Sequence, residues 1–140
     1  MSDYIIYTDG AYSSKRDQGG IGIIILKNNQ VIQMFSKSYH KTTNNRMELI
    51  AVLIALKSVR KNINSLTIYT DSMYVIGCAT LDWKRKKNRG LWGLFDEAFK
   101  VCQNLVNEPI KFIHIKGHNG DKYNEMCDKL AVEASQEYGN

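Results

Sequence analysis

The sequence predicts an α/β fold in which helices pack on both faces of one mixed, five-stranded sheet. Before residue 40, the apolar stretches are short and rich in β-branched and aromatic residues, which is typical of strands. After residue 46, apolar positions recur every three or four residues, as in helices, and two further strand-like runs separate these stretches. Three antiparallel strands followed by two strands that alternate with helices indicate a mixed sheet.

Five stretches have the length and composition of strands, and they span residues 4–8, 21–26, 31–39, 66–70 and 110–115. The polar residues 27–30 separate the second strand from the third and have the length of a hairpin turn. The first three strands are therefore expected to form an antiparallel meander.

Four stretches follow a helical period, and they span residues 47–59, 72–79, 91–105 and 124–136. In the first of them, Leu49, Val52 and Leu56 form an apolar stripe, while Ile50 and Ile54 make a second side apolar. A helix that is apolar on several sides is buried against more than one neighbour.

The composition is that of one folded domain covering residues 1–140. A hydrophobic fraction of 44% and a single proline exclude a disordered or fibrous chain. No apolar run approaches the ~18 residues needed to cross a bilayer, and the first residues lack the pattern of a secretion signal. Cys78, Cys102 and Cys127 lack paired spacing and are expected to be reduced thiols. We expect a soluble, cytoplasmic monomer with no membrane partner.

Positive charge is concentrated in one short segment. The net charge of +5 favours a polyanionic partner, and residues 83–89 carry Lys84, Arg85, Lys86, Lys87 and Arg89 next to Trp83. Lysines neutralise phosphates, so this segment predicts a nucleic-acid contact that weakens with salt. The alternative is a solvated loop that serves solubility.

Two aspartates close predicted strands in the same way. Asp9 ends the first strand in the motif YTDG, and Asp71 ends the fourth in the motif YTDS. Ligand sites in open α/β sheets gather beyond the carboxyl ends of strands, so both carboxylates project from one edge if these strands are neighbours. Each residue alone could instead cap the segment that follows, because aspartate is a favoured turn and N-cap residue.

Glu48 and Asp128 are further candidates for the same site. Glu48 lies in the first turn of the first predicted helix, where it can point to the same sheet edge or complete a capping box with Asn45. Asp128 lies in the last predicted helix, where the alternative is a solvated acid that faces a lysine. The case for both residues depends on the other acids.

Clustered carboxylates predict a metal site. Like charges within a few ångströms raise one another's pKa, so the cluster needs cations. Oxygen-only ligands select hard ions, and Mg²⁺ is held by a few carboxylates together with waters and substrate phosphates. Two such ions ~3.5–4 Å apart activate a water and stabilise the leaving oxygen at a phosphate. The pattern therefore predicts phosphodiester hydrolysis.

Four motifs resemble those of type 1 ribonuclease H, the ribonuclease HI family. They are YTDG at residues 7–10, TTNNRMEL at residues 42–49, TDS at residues 70–72, and KGH at residues 116–118 followed by NE and Asp128. The resemblance covers nearly the whole chain in order, and the octapeptide is its most specific part. It implies the ribonuclease H-like fold.

By this resemblance, the enzyme cleaves the RNA strand of an RNA–DNA hybrid endonucleolytically and leaves 5′-phosphate and 3′-hydroxyl ends. Mg²⁺ is the implied cofactor, with Mn²⁺ as a substitute, and its implied ligands are Asp9, Glu48, Asp71 and Asp128. His118 matches a loop histidine that assists proton transfer or product release. The alternative for His118 is a solvated loop residue, since neighbouring glycines make the loop mobile in either case.

The resemblance also implies contacts to the hybrid. Asn44 and Asn45 match minor-groove positions, where amides can hydrogen-bond base edges and 2′-hydroxyls. Thr43 matches a contact to a DNA-strand phosphate. Many members carry a basic protrusion that is truncated here, and residues 83–89 are its candidate replacement. The other residues assigned to the hybrid are Gly10, Ser14, Met73, Trp83, Lys84, Lys86 and Lys87.

Three alternatives stay open. One is a junction resolvase of the same fold, which the octapeptide disfavours. Another is a domain of a reverse transcriptase, which the complete order of elements and the initial methionine disfavour. The third belongs to a different class, a catalytically silent hybrid-binding module, and the presence of all four acids argues against it.

Overall fold

The sheet is organised around its first strand. The computed structural model describes residues 1–116 and 121–137. Its strands are β1 (Asp3–Ser13), β2 (Gln18–Lys27), β3 (Gln30–His40), β4 (Ser65–Thr70) and β5 (Lys111–His114), in the order β3-β2-β1-β4-β5. β1 pairs antiparallel with β2 and parallel with β4. At the two edges of the sheet, β3 pairs antiparallel with β2 and β5 pairs parallel with β4. The predicted five-stranded mixed sheet is confirmed.

Helices cover both faces of the sheet. Within the described residues they are α1 (Asn44–Lys57), α2 (Met73–Thr80), α3 (Arg89–Leu105) and α4 (Lys122–Ser135). Neighbouring β1 residues point to opposite layers, because Ile6 belongs to the core with Val52 of α1 while Tyr7 belongs to a second core with Cys127 of α4. None of the helices described is long and apolar enough to cross a membrane.

β1 is longer than predicted. It continues past Asp9 to Ser13, where it still pairs with Gln18 of β2. Its parallel pairing with β4 stops earlier, at Tyr7 and Tyr69. The prediction that Asp9 ends the strand is therefore wrong, and Asp9 instead follows the end of the pairing with β4. The composition of the sequence did not predict this extension, because the β2 residues that pair with it include Gly19 and Gly20 and glycine has a low strand propensity.

α1 begins earlier than the predicted residue 47. Thr43 caps it, with its hydroxyl oxygen accepting the N–H of Arg46 at 3.1 Å. The first turn is polar and exposed at Asn44 and Asn45, so it carries no apolar period. As predicted, this helix is buried against several neighbours, since it contacts β1, β2, α2 and α3.

α4 lies directly on the backbone of β2 at two glycines. A Cβ atom at Gly22 would stand 2.4 Å from the carbonyl oxygen of Cys127, and one at Gly20 would stand 2.4 Å from that of Ala131. The single S–H of Cys127 is shared between the carbonyl oxygen of Gly22 at 3.0 Å and that of Tyr7 at 3.4 Å. These contacts set the distance of α4 from the sheet.

We predict that Gly22→Ala lowers the free energy of unfolding by about 1–3 kcal/mol, because the added methyl group must displace the α4 backbone. Urea unfolding followed by circular dichroism measures the change. Gly93→Ala on α3 is the matched control, since a Cβ atom there meets nothing within 4 Å. In mid-helix the same substitution should raise stability by roughly 0.5–1 kcal/mol. A Gly22→Ala protein as stable as the wild type would contradict the contact.

Candidate metal centre

Asp9 and Asp71 meet at one edge of the sheet because β1 and β4 are parallel neighbours. The pairing of β1 with β4 ends where Tyr7 meets Tyr69, so each aspartate follows the end of this pairing by the same distance along the chain. Glu48 reaches the same place from α1. Asp9, Glu48 and Asp71 each offer one carboxylate oxygen, and these oxygens all lie within 4.8 Å of one another.

Close backbone packing brings Glu48 to the strand. A Cβ atom at Gly10 would stand 2.5 Å from the backbone nitrogen of Glu48 and 2.6 Å from the carbonyl carbon of Met47. Only glycine, therefore, allows α1 to approach the residue next to Asp9. Gly10 thus has a packing role that was not foreseen, and its contact to the hybrid stays a prediction.

The structure excludes the alternative in which Glu48 or Asp71 caps a helix. The N-cap of α1 is Thr43, so the prediction that Glu48 lies in the first turn is wrong, and Glu48 also lies beyond the position that would complete a capping box. The N-cap of α2 is Ser72 rather than Asp71. Asp9 lies inside a strand. The alternatives in which Glu48 or Asp71 serves as a cap are wrong.

The centre is buried, and like charges meet there. Asp9 is 2% exposed and Glu48 is 5% exposed. Burial and the charge of Asp71, with a smaller effect of the Asp128 carboxyl, raise the pKa of Asp9 to about 9. A hydrogen bond from the Gly10 N–H at 2.9 Å acts in the opposite direction. Burial and then the charges of its two neighbours raise the pKa of Glu48 well above its usual range.

Two carboxylate oxygens in this group lack a protein partner. Oε1 of Glu48 and Oδ1 of Asp71 are buried and hydrogen-bond to no described residue. A buried acceptor left without a partner costs about 1–3 kcal/mol, and a charged one costs more. A divalent cation would satisfy these oxygens and offset the clustered charge, and an all-oxygen donor set suits hard ions. The residues present fit a divalent-metal site.

Asp128 lies beside the three-residue group rather than within it. It is half-buried on α4, and its carboxyl contacts that of Asp9. The hydrogen bonds of the neighbouring Cys127 hold this turn of α4 against β1 and β2. This placement does not fit a solvated surface acid. His118, the other predicted catalytic residue near α4, lies outside the described residues.

Several predicted hybrid contacts lie where the helices begin beside the carboxylates. Thr43, Asn44 and Asn45 are exposed at the start of α1. Met73 is 41% exposed at the start of α2, close in sequence to Asp71. Ser14 is exposed beyond the end of β1. These residues are accessible to a partner.

The segment between α2 and α3 is held in place by two of its side chains. Trp83 packs on α2 so closely that a Cβ atom at Gly77 would stand 2.1 Å from its ring, and it is still 47% exposed. Arg85 turns inward, with its guanidinium 4.5 Å from the ring centre of Trp92 and in an ion pair with Asp96 at 2.7 Å. The segment therefore has a defined shape.

The lysines of this segment differ from Arg85. Lys84, Lys86 and Lys87 are exposed, and none of them forms an ion pair with any residue that the structure describes. Their ammonium groups are available to an anionic partner. The basic run thus divides into an arginine that stabilises the segment and lysines that remain accessible.

A polar junction between three helices has no counterpart in the sequence predictions. Arg46 of α1 donates to the side chain of Asn88 at 3.4 Å. Asn88 donates to the hydroxyl of Tyr74 at 3.1 Å, and that oxygen also accepts the indole N–H of Trp92 at 2.9 Å. Asn88 has a φ of 59° at the N-cap of α3. An asparagine before a helix is a recognisable cap signal, but the sequence does not show that it meets α1.

The family model described as RNase H matches residues 1–136. The chain belongs to the RNase H family. The resemblance first seen in the octapeptide at residues 42–49 is thereby confirmed. Membership also argues against the junction-resolvase alternative.

Individual relatives agree with this assignment. The chain is 40% identical to a ribonuclease H of Trichodesmium erythraeum (strain IMS101), with 96% of this chain and 90% of that protein covered. It is 39% identical to a ribonuclease H of Clostridium botulinum (strain Hall), with 99% of each protein covered. LC11-RNase H1, solved in complex with an RNA/DNA hybrid, has a TM-score of 0.78 at 23% identity, covering 95% of this chain and 96% of that one. The RNase H fold is confirmed.

Burial and like charge in the centre predict a stability that depends on pH when divalent ions are removed. Folding raises the pKa of Asp9 from 3.8 to about 9. The folded protein therefore holds this proton more tightly than the unfolded chain. The resulting stabilisation is present below pH 3.8 and is lost as the pH rises through about 9. In EDTA, urea unfolding should show the wild type losing stability over this range, and Asp9→Asn losing less.

Glu97→Gln is the control for this prediction, because it removes an exposed acid on α3 and should keep the wild-type pH slope. Added Mg²⁺ should reduce the slope of the wild type. An Asp9→Asn protein with the wild-type slope in EDTA would show that the clustered charge does not act as described.

Proposed function

We propose that this chain is an endonucleolytic ribonuclease H that hydrolyses the RNA strand of RNA–DNA hybrids with Mg²⁺, leaving 5′-phosphate and 3′-hydroxyl ends. The observation that carries the proposal is the buried group of Asp9, Glu48 and Asp71, with its two unpartnered oxygens. Membership of the RNase H family supports the hybrid as substrate. The hybrid bound to LC11-RNase H1, a protein of the same fold, supports it further.

The four acids divide the task of holding the ions. Asp9 and Asp71 act from neighbouring strands, Glu48 acts from α1, and Asp128 acts from α4. When bound, a pair of divalent ions activates a water and stabilises the leaving oxygen of the scissile phosphate. Burial of Asp9 and Glu48 strengthens their electrostatic interaction with cations, because little water screens it. His118 assists proton transfer or product release in this proposal, and Mn²⁺ is the expected substitute ion.

Recognition of the hybrid is assigned to the exposed start of α1. The amides of Asn44 and Asn45 can both donate and accept, which suits base edges and the 2′-hydroxyl that distinguishes RNA from DNA. The hydroxyl oxygen of Thr43 accepts the N–H of Arg46, which leaves its own O–H free to donate to a phosphate. A helix N-terminus also favours an anion.

The segment at residues 83–89 is assigned to the phosphate backbone. Its inward Arg85 and packed Trp83 keep it ordered, so Lys84, Lys86 and Lys87 are presented without first ordering a loop. Such pre-ordering reduces the entropic cost of binding. The segment is the proposed replacement for the truncated protrusion.

We expect a labelled RNA strand to be cut when it is paired with DNA in the presence of Mg²⁺, and to stay intact when it is paired with RNA or single-stranded. Denaturing gel electrophoresis of the products measures this, and phosphatase and ligase treatment identifies the end groups. Asp9→Asn should reduce the cleavage rate at least about a hundredfold. The bound ions lower the activation free energy by several kcal/mol. Each loss of about 1.36 kcal/mol slows the reaction tenfold, so losing about twice that amount gives the hundredfold decrease.

Each failure of this experiment has a distinct meaning. Equal cutting of all three substrates would overturn the hybrid specificity. Hybrid binding without cutting at any divalent ion concentration would favour the silent binding module. Full activity of a folded Asp9→Asn protein would overturn the metal-ligand assignment.

Replacing Lys84, Lys86 and Lys87 together by alanine should weaken hybrid binding and lower its salt dependence. Each phosphate contact contributes about 0.7–0.9 to the slope of log K against log salt, so the magnitude of the slope should fall by roughly 2–3 if all three lysines contact phosphates. Fluorescence anisotropy at several salt concentrations, with Ca²⁺ in place of Mg²⁺, measures the slope.

The control removes the same charge elsewhere. Lys57, Lys61 and Lys100 are exposed at or after the end of α1 and on α3, and their joint replacement by alanine should leave the slope nearly unchanged. An equal drop in both triple variants would mean that only net charge matters, and no drop in either would exclude the lysines from the interface.

A further inference from the structure

His114, the last residue of β5, contacts Asp71 through its ring. Its Nε2 lies 3.2 Å from the backbone carbonyl oxygen of Asp71. A carbonyl oxygen can only accept, so Nε2 carries the hydrogen and donates it. We propose that His114 is a positioning residue that fixes the main chain of Asp71 and thereby directs its carboxylate. The inference rests on the proposed function, in which Asp71 binds a divalent ion.

Asp71 needs such support because it lies between two regular elements. The pairing of β4 with β1 ends at Tyr69, and its pairing with β5 ends where Thr70 meets His114. α2 begins only at Met73. The Ile115 N–H donates to the carbonyl oxygen of Thr70 at 2.8 Å and so holds the peptide unit before Asp71. Neither strand pairing nor the body of a helix holds the unit after it.

The peptide unit that joins Asp71 to Ser72 is held at both ends. Its N–H, which belongs to Ser72, donates to the hydroxyl oxygen of Thr70 at 3.1 Å. Its carbonyl oxygen accepts from His114. The torsion angle ψ of Asp71 changes only when this peptide plane rotates relative to the Cα atom of Asp71. The two hydrogen bonds, one at each end of the plane, oppose that rotation. The direction of the Asp71 side chain is therefore set by this pair of bonds.

The carboxylate of Asp71 cannot set its own direction. Its Oδ1 is buried and hydrogen-bonds to no described residue. Its contact with Glu48 joins two acids, which repel each other when both are ionised. When both acids are ionised, as binding of a cation requires, Glu48 offers Asp71 no donor, and the position of the carboxylate follows the backbone that carries it.

The ring of His114 lies on the face of β5 that is turned toward the main core. Side chains alternate along β5, so His114 lies on the same face as Phe112, which packs against the main core. The ring is half-buried. A neighbour that orients a metal ligand typically contributes about 10–100-fold to metal affinity or activity. His114 acts on the backbone of the ligand residue, so we expect an effect near the lower limit.

The experiment measures Mn²⁺ binding to the full chain by electron paramagnetic resonance, with no substrate present. We expect His114→Phe, which keeps a planar ring but has no donor, to raise the Kd about tenfold. His114→Gln places an amide N–H₂ near the position of Nε2 and should restore binding close to the wild-type value. His114→Asn, which is too short to reach, should not. His40→Phe replaces an exposed histidine at the end of β3 and should bind like the wild type.

Two further readouts distinguish positioning from general stability. In cleavage assays, His114→Phe should need a higher Mg²⁺ concentration for half-maximal rate and approach the wild-type kcat at saturating Mg²⁺. Its unfolding in EDTA should match that of His114→Gln. If His114→Phe does not fold, the Mn²⁺ affinities of His114→Gln and His114→Asn are compared instead, and higher affinity of the Gln variant supports the positioning role.

The outcomes separate this inference from the proposed function. Wild-type Mn²⁺ affinity in folded His114→Phe and His114→Asn would overturn the role of His114 and leave the metal site standing. Equal loss of affinity and stability in all His114 variants would also overturn it, because the histidine would then be structural. A wild-type protein that binds no Mn²⁺ would overturn the proposed metal site itself.

Discussion

The candidate metal centre depends on backbone packed directly against backbone on both sides of β1 and β2. At Gly10 the start of α1 approaches the strand at a distance that no side chain would allow, and at Gly22 the same holds for α4. These contacts bring Glu48 and Asp128 to the strand that carries Asp9. A single methyl group at either glycine would separate a helix from the sheet and a carboxylate from the centre.

The packing holds together groups that repel one another. Asp9 and Glu48 are buried with Asp71 as their neighbour, and burial together with like charge raises the pKa of both. The apolar core around Ile6, Val52 and Leu66 stabilises the fold that keeps them close. The repulsion lowers the free energy of unfolding, and favourable packing elsewhere in the protein offsets this loss, as is usual at ligand-binding sites.

Most elements could be predicted because their signal is local. Apolar periodicity gave the helices, and β-branched runs gave the strands, but the extension of β1 depends on a glycine-rich partner whose composition does not favour strands. The acids at residues 9 and 71 were recognisable from a repeated motif and from the family resemblance. Asp128 could not be placed by physical reasoning alone, since its contact with Asp9 arises only when α4 packs on β2.

Tertiary contacts also separated residues that the sequence makes look alike. Arg85 and Lys84 are adjacent basic residues in one run, but Arg85 packs on Trp92 while Lys84 is exposed. His114 carries no motif, and its bond to Asp71 arises from the register of β4 with β5. Such roles follow from contacts between distant segments, and no local pattern records them.

The position of α4 has a consequence for the order in which the protein is made. β1 leaves the ribosome first and α4 last among the described elements, yet the packing of Cys127 on Gly22 is what brings Asp128 to Asp9. Contacts between segments so far apart in sequence form late, after the loops between them have closed. A growing chain can build its N-terminal strands and still lack the fourth carboxylate. The site with all four carboxylates is therefore a property of the finished molecule, not of its N-terminal half.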